Sequence, residues 1–424
     1  MKRFLTCMIL MSGTIGMFAQ STDNETSVSV QIRPRAEYRN GALSPRNEGD
    51  LPAGFITNRA RMSLDYKRND LSMKLAAQHV GVWGQDPQID RNGRFILNEA
   101  WAKLYLHNNF YAQIGRQSLV YDDERILGGL DWNVAGRFHD ALRLGYEYDM
   151  NKLHLILAFN QNDENVIGGT YYRPGAQPYK TMQTLWYSYT ESAFSLSALL
   201  MNLGQQGGSE SSPDTRYLQT FGLNPQYSGE TLKLYGSLYF QTGKTASDLS
   251  VSAWLASLKA TYVANSKVSL TAGTDYLSGS NSDDKKHKAF NPLYGTHHKF
   301  YGIMDYFYAS SFRGGFNPGL WDKFAEISFM TSKSSSFSAT YHHFSITSDI
   351  MPTYYTENIK RGLGSEVDLQ FSWDIMKDVK MTGGYSVMLG SESMDIVKGG
   401  NHKSWQDWGW VSININPRVF FAKW

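Results

Sequence analysis

The sequence predicts an all-β fold, a transmembrane antiparallel β-barrel of about 18 strands, with 16 to 18 allowed by uncertainty in the strand ends. Three observations carry this. Many short segments alternate apolar and polar residues with a period of two. The connections between them alternate in length, as short periplasmic turns and long extracellular loops do in bacterial barrels. Aromatics make up 14% of residues beside 38 glycines, yet mean hydropathy is only -0.41, the average of strands with one wet and one apolar face.

Alternation comes first because a strand in a water-filled barrel turns one residue to lipid and the next to the lumen. In SVSVQIRPRAEYRN, Val28, Val30, Ile32, Pro34, Ala36 and Tyr38 share one face, and Gln31, Arg33, Arg35, Glu37 and Arg39 share the other. No soluble sandwich would bury that second face. In TNRARMSLDYK, Ala60, Met62, Leu64 and Tyr66 oppose Arg59, Arg61, Ser63, Asp65 and Lys67. In TLKLYGSLYFQ, Leu232, Leu234, Leu238 and Phe240 oppose Lys233, Tyr235, Ser237, Tyr239 and Gln241. Near the end, Val367, Leu369, Phe371 and Trp373 oppose Glu366, Asp368, Gln370, Ser372 and Asp374. Strands are expected to start near residues 27, 56, 71, 96, 110, 138, 152, 181, 193, 216, 231, 251, 267, 323, 336, 364, 378 and 406.

Turn residues then separate short connections, such as 67–70, 107–109, 149–152, 228–231 and 264–267, from long ones. The long ones run through about 40–54, 83–95, 119–136, 162–179, 204–214, 279–321, 346–362 and 389–404. The longest, 279–321, holds FNPLYGTHHKFYGIMDYFY and RGGFNPG, whose aromatic and Gly-Pro content predicts an ordered loop and leaves open whether it folds into or across the lumen.

Residues 1–19, MKRFLTCMILMSGTIGMFA, read as a secretory signal peptide: Lys2 and Arg3, an apolar stretch, and a small residue at Ala19. Residues 20–424 then form a single barrel domain with no plug before its first strand. The one cysteine, Cys7, lies in the leader, which leaves the mature chain without disulfides or cysteine-bound metal. Lysine plus arginine total 41 against 39 acids, and losing Lys2 and Arg3 balances them, so net charge gives no argument for nucleic acid. The terminal NPRVFFAKW is similar to the signal by which the barrel assembly machinery recognises its clients.

Arginine is concentrated on neighbouring strands: Arg33, Arg35, Arg39, Arg59, Arg61, Arg116, Arg125, Arg137 and Arg143. A permanently charged planar fork suits carboxylates, so such a ladder in a confined lumen selects anions. Glu37, Asp65, Glu99, Asp122, Asp123, Glu124, Asp131, Asp140 and Glu147 are equally available to pair with it, and a structural network stays open beside the selectivity surface. The scattered histidines form no nucleophile, base and orienting set, so no catalytic residue is assigned. His297 and His298, read as adjacent strand positions, point to opposite faces and make no metal site. No cofactor is expected. Trp101, Trp186, Trp254, Trp373, Trp408 and Trp410 are placed in interfacial girdles, and Tyr235 and Tyr239 are candidate sugar-stacking platforms.

The stretch IGRQSLVYDDERILGGLDWNVAGRFHDALRL (114–144), with DYLSGSN (275–281) and FNPLYGTHHKFYGIMDYF (290–307), resembles the alginate export family of outer-membrane barrels. QIRPRAEYRN resembles that family's opening strand. The resemblance implies a monomeric 18-stranded barrel in the outer membrane, with an electropositive, arginine-rich constriction that conducts a polyuronate. It also implies outer-membrane lipid and lipopolysaccharide around the chain. By the same resemblance Arg116, Arg125 and Arg137 match the motif arginines and become pore-lining candidates, with Arg33 and Arg35 from the opening strand. Arg59 and Arg61 follow from alternation, and Arg143 and Lys299 complete the cationic set. Glu37, Asp122, Asp123, Asp131 and Asp140 are the acids expected to hold these cations in place. The expected function is passive passage of anionic or sugar solutes, possible cargoes including alginate and oligosaccharides; the alternative is a secreted or surface carbohydrate-binding β protein without a pore.

Overall fold

Period-two sequence becomes antiparallel strand almost throughout. The structure, a computed structural model, describes residues 23–85, 95–161, 164, 179–281, 283–350 and 359–424. The leader and parts of the 83–95, 162–179 and 346–362 connections lie outside these residues. The strands are β1 (Glu25–Asn40), β2 (Ala53–Arg68), β3 (Leu71–Val82), β4 (Phe95–Tyr105), β5 (Phe110–Gln117), β6 (His139–Tyr148), β7 (Asn151–Phe159), β8 (Thr181–Glu191) and β9 (Phe194–Ser209). They continue as β10 (Ser212–Ser228), β11 (Leu232–Lys244), β12 (Ser250–Val263), β13 (Val268–Leu277), β14 (Leu320–Met330), β15 (Ser335–Ser345), β16 (Gly362–Met376), β17 (Val379–Gly390), β18 (Gln406–Ile415) and β19 (Arg418–Lys423).

Each strand pairs antiparallel with its neighbours in sequence, and β1 pairs with β2 on one side and with both β18 and β19 on the other. Pro417, between β18 and β19, has no amide to donate to a ladder. The two segments therefore occupy one position in the wall, giving a closed barrel of 18 strands. Closure leaves no unpaired edge.

The two faces of the wall sort as the alternation requires. Leu64, Leu200, Leu238, Leu258, Ile114 and Trp254 are exposed on the outside, while Arg59, Gln241, Asp275, Asp322 and Glu366 are buried within. One loop assignment is corrected: residues 204–214 are not a long loop. Gly204, Gly207 and Gly208 continue β9, which pairs with β10 up to Ser209 opposite Ser212. Glycine marks a turn only when the ladder ends, and here it does not.

Candidate functional site

Two connections on the long-loop end turn inward, 118–138 between β5 and β6 and 278–319 between β13 and β14, and they meet inside the barrel. A parallel bridge joins Leu127 to Tyr294. The Gly128 amide donates to the Tyr294 carbonyl at 2.9 Å, the Tyr294 amide to that of Ile126 at 3.0 Å, and the Thr296 amide to that of Glu124 at 2.8 Å. Thr296 Oγ1 donates to Glu124 Oε2 at 2.8 Å and accepts from the Leu130 amide at 3.1 Å. Glycine is required at this crossing, because a Cβ on Gly295 would lie 2.2 Å from the Arg125 carbonyl oxygen. Backbone polar groups carried into the lumen are thus satisfied by another loop rather than by water.

The tip of loop 118–138 rests on the arginines of β1 and β2. Arg33 and Arg59 stand directly opposite one another in the β1–β2 ladder, an arrangement that like charges make unfavourable. Asp131 resolves it by inserting its carboxylate between them, Oδ2 at 2.9 Å from Arg33 Nη1 and Oδ1 at 2.6 Å from Arg59 Nη1. Burial pushes the Asp131 carboxyl up, but the two guanidiniums outweigh it and hold the group below the usual carboxylate range. The loop's carbonyls take the remaining donors. Arg35 Nη1 donates to Trp132 O at 2.7 Å, Arg59 Nε to Val134 O at 2.6 Å and Arg59 Nη2 to Asn133 O at 2.7 Å. Gln78 and Asn98 both donate to Ala135 O. Arg59 is fully buried by this clamp. Arg35 and Arg39 share Glu37, each at 2.8 Å. Arg61 is half-buried and, among the described residues, bonds only the neutral Gln78, through Nε at 2.8 Å.

Above the clamp, Trp132 packs on His298 at 4.0 Å between ring centres, edges against Trp408 and Trp410, and lies under the Arg35 guanidinium at 3.9 Å. His298 Nδ1 also lies 2.9 Å from Asp305 Oδ2, so this histidine packs rather than facing solute. His297 and His298 sit on a short helical turn, His297–Lys299, not on a strand. Burial lowers His297 to about 4, with the nearby Arg137 adding to the effect, and keeps it neutral.

The motif arginines divide. Arg125 is buried between Asp123 and Asp275, both at 2.7 Å, and bonds Ser257 and the Tyr301 hydroxyl, so it ties both inward loops to the wall. Arg137 donates to Gly295 O at 2.7 Å and joins the loops. Arg143 faces the lumen from β6, with Nη2 at 2.5 Å from Gln113 Oε1. Asp122 accepts from Trp186 Nε1 at 2.9 Å and from the Ser197 hydroxyl, and burial pushes its carboxyl up.

Arg116 is a correction. Its ladder partners are Ala100 and Asp140, on the face opposite that of buried Gln117 and His139, and it points out of the barrel with Ile114 and Leu144. There it forms a two-pronged pair with Asp140 at 2.9 Å and lies 4.3 Å from the Phe138 ring centre. The motif match did not reveal that only the odd positions of β5 face inward. Tryptophan positions need the same correction: Trp254 and Trp373 are exposed outside, but Trp101, Trp186, Trp408 and Trp410 lie on the inner face. Tyr239 is buried with its hydroxyl on Asn224 and offers no platform, whereas Tyr235 does face open space.

That space is a cavity of about 570 Å³ between the inward loops and the short-turn end, lined from β10 to β16. Tyr235, Lys233, Lys259, Lys299 and Glu326 border it. Lys233 of β11 was visible as a polar-face position, but nothing local marked it or Lys259 of β12 as a neighbour of a cavity. Lys299 is half exposed and bonds Glu124 Oε1 at 3.2 Å.

The Alginate export family model matches residues 24–390. The chain belongs to the alginate export family. An alginate export barrel of this kind resides in the outer membrane and has a porin-like channel fold. No curated protein sequence matches the chain. Among solved structures it is similar to Pseudomonas aeruginosa OpdO (11% identity, TM-score 0.61), covering 93% of this chain and 98% of that one. OpdQ of the same organism has 12% identity, a TM-score of 0.57 and the same coverages. P. aeruginosa OccK2 (OpdF), solved in complex with glucuronate, has 13% identity and a TM-score of 0.58, again covering 93% and 98%. At these identities the likeness is one of fold.

Proposed function

We propose that this alginate export family member is a passive, anion-preferring channel for sugar acids or their oligomers, without energy coupling or covalent chemistry in the chain. The observation that carries this is the charge balance of the clamp. Among the described residues Arg33, Arg35, Arg39, Arg59 and Arg61 form ion pairs only with Glu37 and Asp131, while the nearby Glu99 and Asp305 are engaged by Lys74 and His298, so positive charge is in excess where the inward loops narrow the lumen. An uncompensated positive charge in a confined, partly desolvated passage lowers the barrier for anions and raises it for cations. The clamp consumes the hydrogen-bonding capacity of Arg35 and Arg59 but not their field. A family model described as alginate export and a structural neighbour crystallised with glucuronate both favour acidic sugars as cargo.

In this reading residues 1–19 are removed on export and 20–424 act as one domain, a monomer surrounded by lipid and lipopolysaccharide after delivery by the barrel assembly machinery. The short turns face the periplasm. The test is the reversal potential of single channels in a potassium chloride gradient across a planar bilayer. Wild type should prefer chloride, and Arg61→Gln, which keeps the contact with Gln78, should lower the anion-to-cation permeability ratio by about twofold or more. A cation-preferring wild type would overturn the proposal.

A further inference from the structure

The cavity between the inward loops and the short-turn end holds several carboxylates, most of them hydrogen-bonded within the protein; the buried Asp368 accepts no hydrogen bond and, among the described residues, has only His342 within ion-pair distance. Arg125 takes Asp123 and Asp275. His342 lies between Asp322 and Asp368 at 2.9 and 3.6 Å. Glu326 accepts from Ser328 at 2.8 Å and from Thr340 at 3.2 Å, and Asp122 from Trp186 and Ser197. The cations differ. Lys233 and Lys259 face the cavity from β11 and β12, and among the described residues no carboxylate lies within ion-pair distance of either ammonium. Lys259 Nζ instead hovers 4.7 Å from the ring centre of Tyr235, its direct cross-strand partner. Tyr235 and Lys233 are two residues apart on the same face, so the three side chains form one strip on the lumen wall. Toward β13 the adjoining surface is Thr261 and Thr271, small hydroxyls bonded to each other at 2.9 Å, which leaves the strip open.

We infer that Lys233, Lys259 and the face of Tyr235 form a second anion-binding station, separate from the arginine clamp, which holds a carboxylate-bearing sugar. The lysines bind the carboxylate and the tyrosine ring takes the apolar face of the pyranose. A point charge on a flexible stem captures and releases a passing carboxylate more readily than a buried guanidinium engaged by a loop. The arginines then set which sign of charge crosses, and the lysine strip sets which anion lingers. This division rests on the channel reading given above.

The experiment is block of chloride current by a uronate trisaccharide in planar bilayers, using the full-length barrel. K233Q/K259Q should raise the half-blocking concentration at least tenfold while the chloride preference stays within twofold of wild type. R61Q should do the reverse, and K233R/K259R should retain block, which separates loss of charge from misfolding. If K233Q/K259Q is blocked as wild type is, or if an anion-preferring wild type is not blocked at all, the station is wrong and the channel reading stands. If wild type shows no anion preference, the channel reading fails first and the station with it.

Discussion

At the scale of single residues, the arginines separate into roles that their shared chemistry conceals. Arg59 and Arg35 hold a loop, Arg125 holds two loops, Arg61 forms no ion pair among the described residues, and Arg116 lies outside the lumen altogether. Arg116→Ala should therefore leave the reversal potential in a salt gradient unchanged, in contrast to Arg61→Gln. Asp131 gives a pH prediction. Its carboxyl is held below the usual range in the folded protein, so the stabilisation it contributes is fully present above the unfolded value of about 4 and is lost as pH falls through the lower folded value. Between pH 7 and pH 5 the clamp should not loosen. Once pH falls through that lower folded value, the Arg33–Arg59 repulsion returns and the loop tip should detach, seen as noisier and larger single-channel currents. Asp131→Asn should bring that behaviour to neutral pH.

At the scale of elements, the constriction depends on two loops meeting at glycines. Alanine at Gly295 would place its Cβ 2.2 Å from a backbone oxygen, which no rotamer change relieves. Gly295→Ala should therefore part loops 118–138 and 278–319, raising conductance and exposing both to protease while the strands stay intact. Much of this level was legible in advance: eighteen strand starts fall close to the observed ones, and an ordered 279–321 loop was expected from its Gly, Pro and aromatic content, although its entry into the lumen was not decided by those residues. The 204–214 segment was not, because glycine and serine signal a turn locally whereas the β9–β10 ladder that overrides the signal is a pairing between strands. Nor was the partnership of the two loops, which joins residues such as Glu124 and Thr296, 172 positions apart.

For the whole molecule, the wall is a boundary between two solvents, and a substitution should cost according to the side it faces. Leu238, at the middle of β11 and 54% exposed on the outside, should cost about 2–4 kcal/mol when changed to arginine, measured by reversible folding into lipid vesicles. The lumen-facing Ser269 of β13 is half-buried at the border of the polar cavity, and an arginine there should cost much less. Equal costs at the two positions would contradict a lipid-facing outer wall.

The sequence by itself determined the barrel, the approximate positions of its strands and the face of each residue in its clearest strands, because a period of two is a local property that needs only a few consecutive residues to declare itself. Where a loop lands, and therefore which cation it neutralises, was decided by tertiary structure alone. Arg33 and Asp131 lie 98 residues apart, and no pattern along the chain records that one carboxylate separates two opposed guanidiniums, or that among the described residues Lys233 and Lys259 meet none. Charge type is written residue by residue, but its compensation is a matter of distances in space.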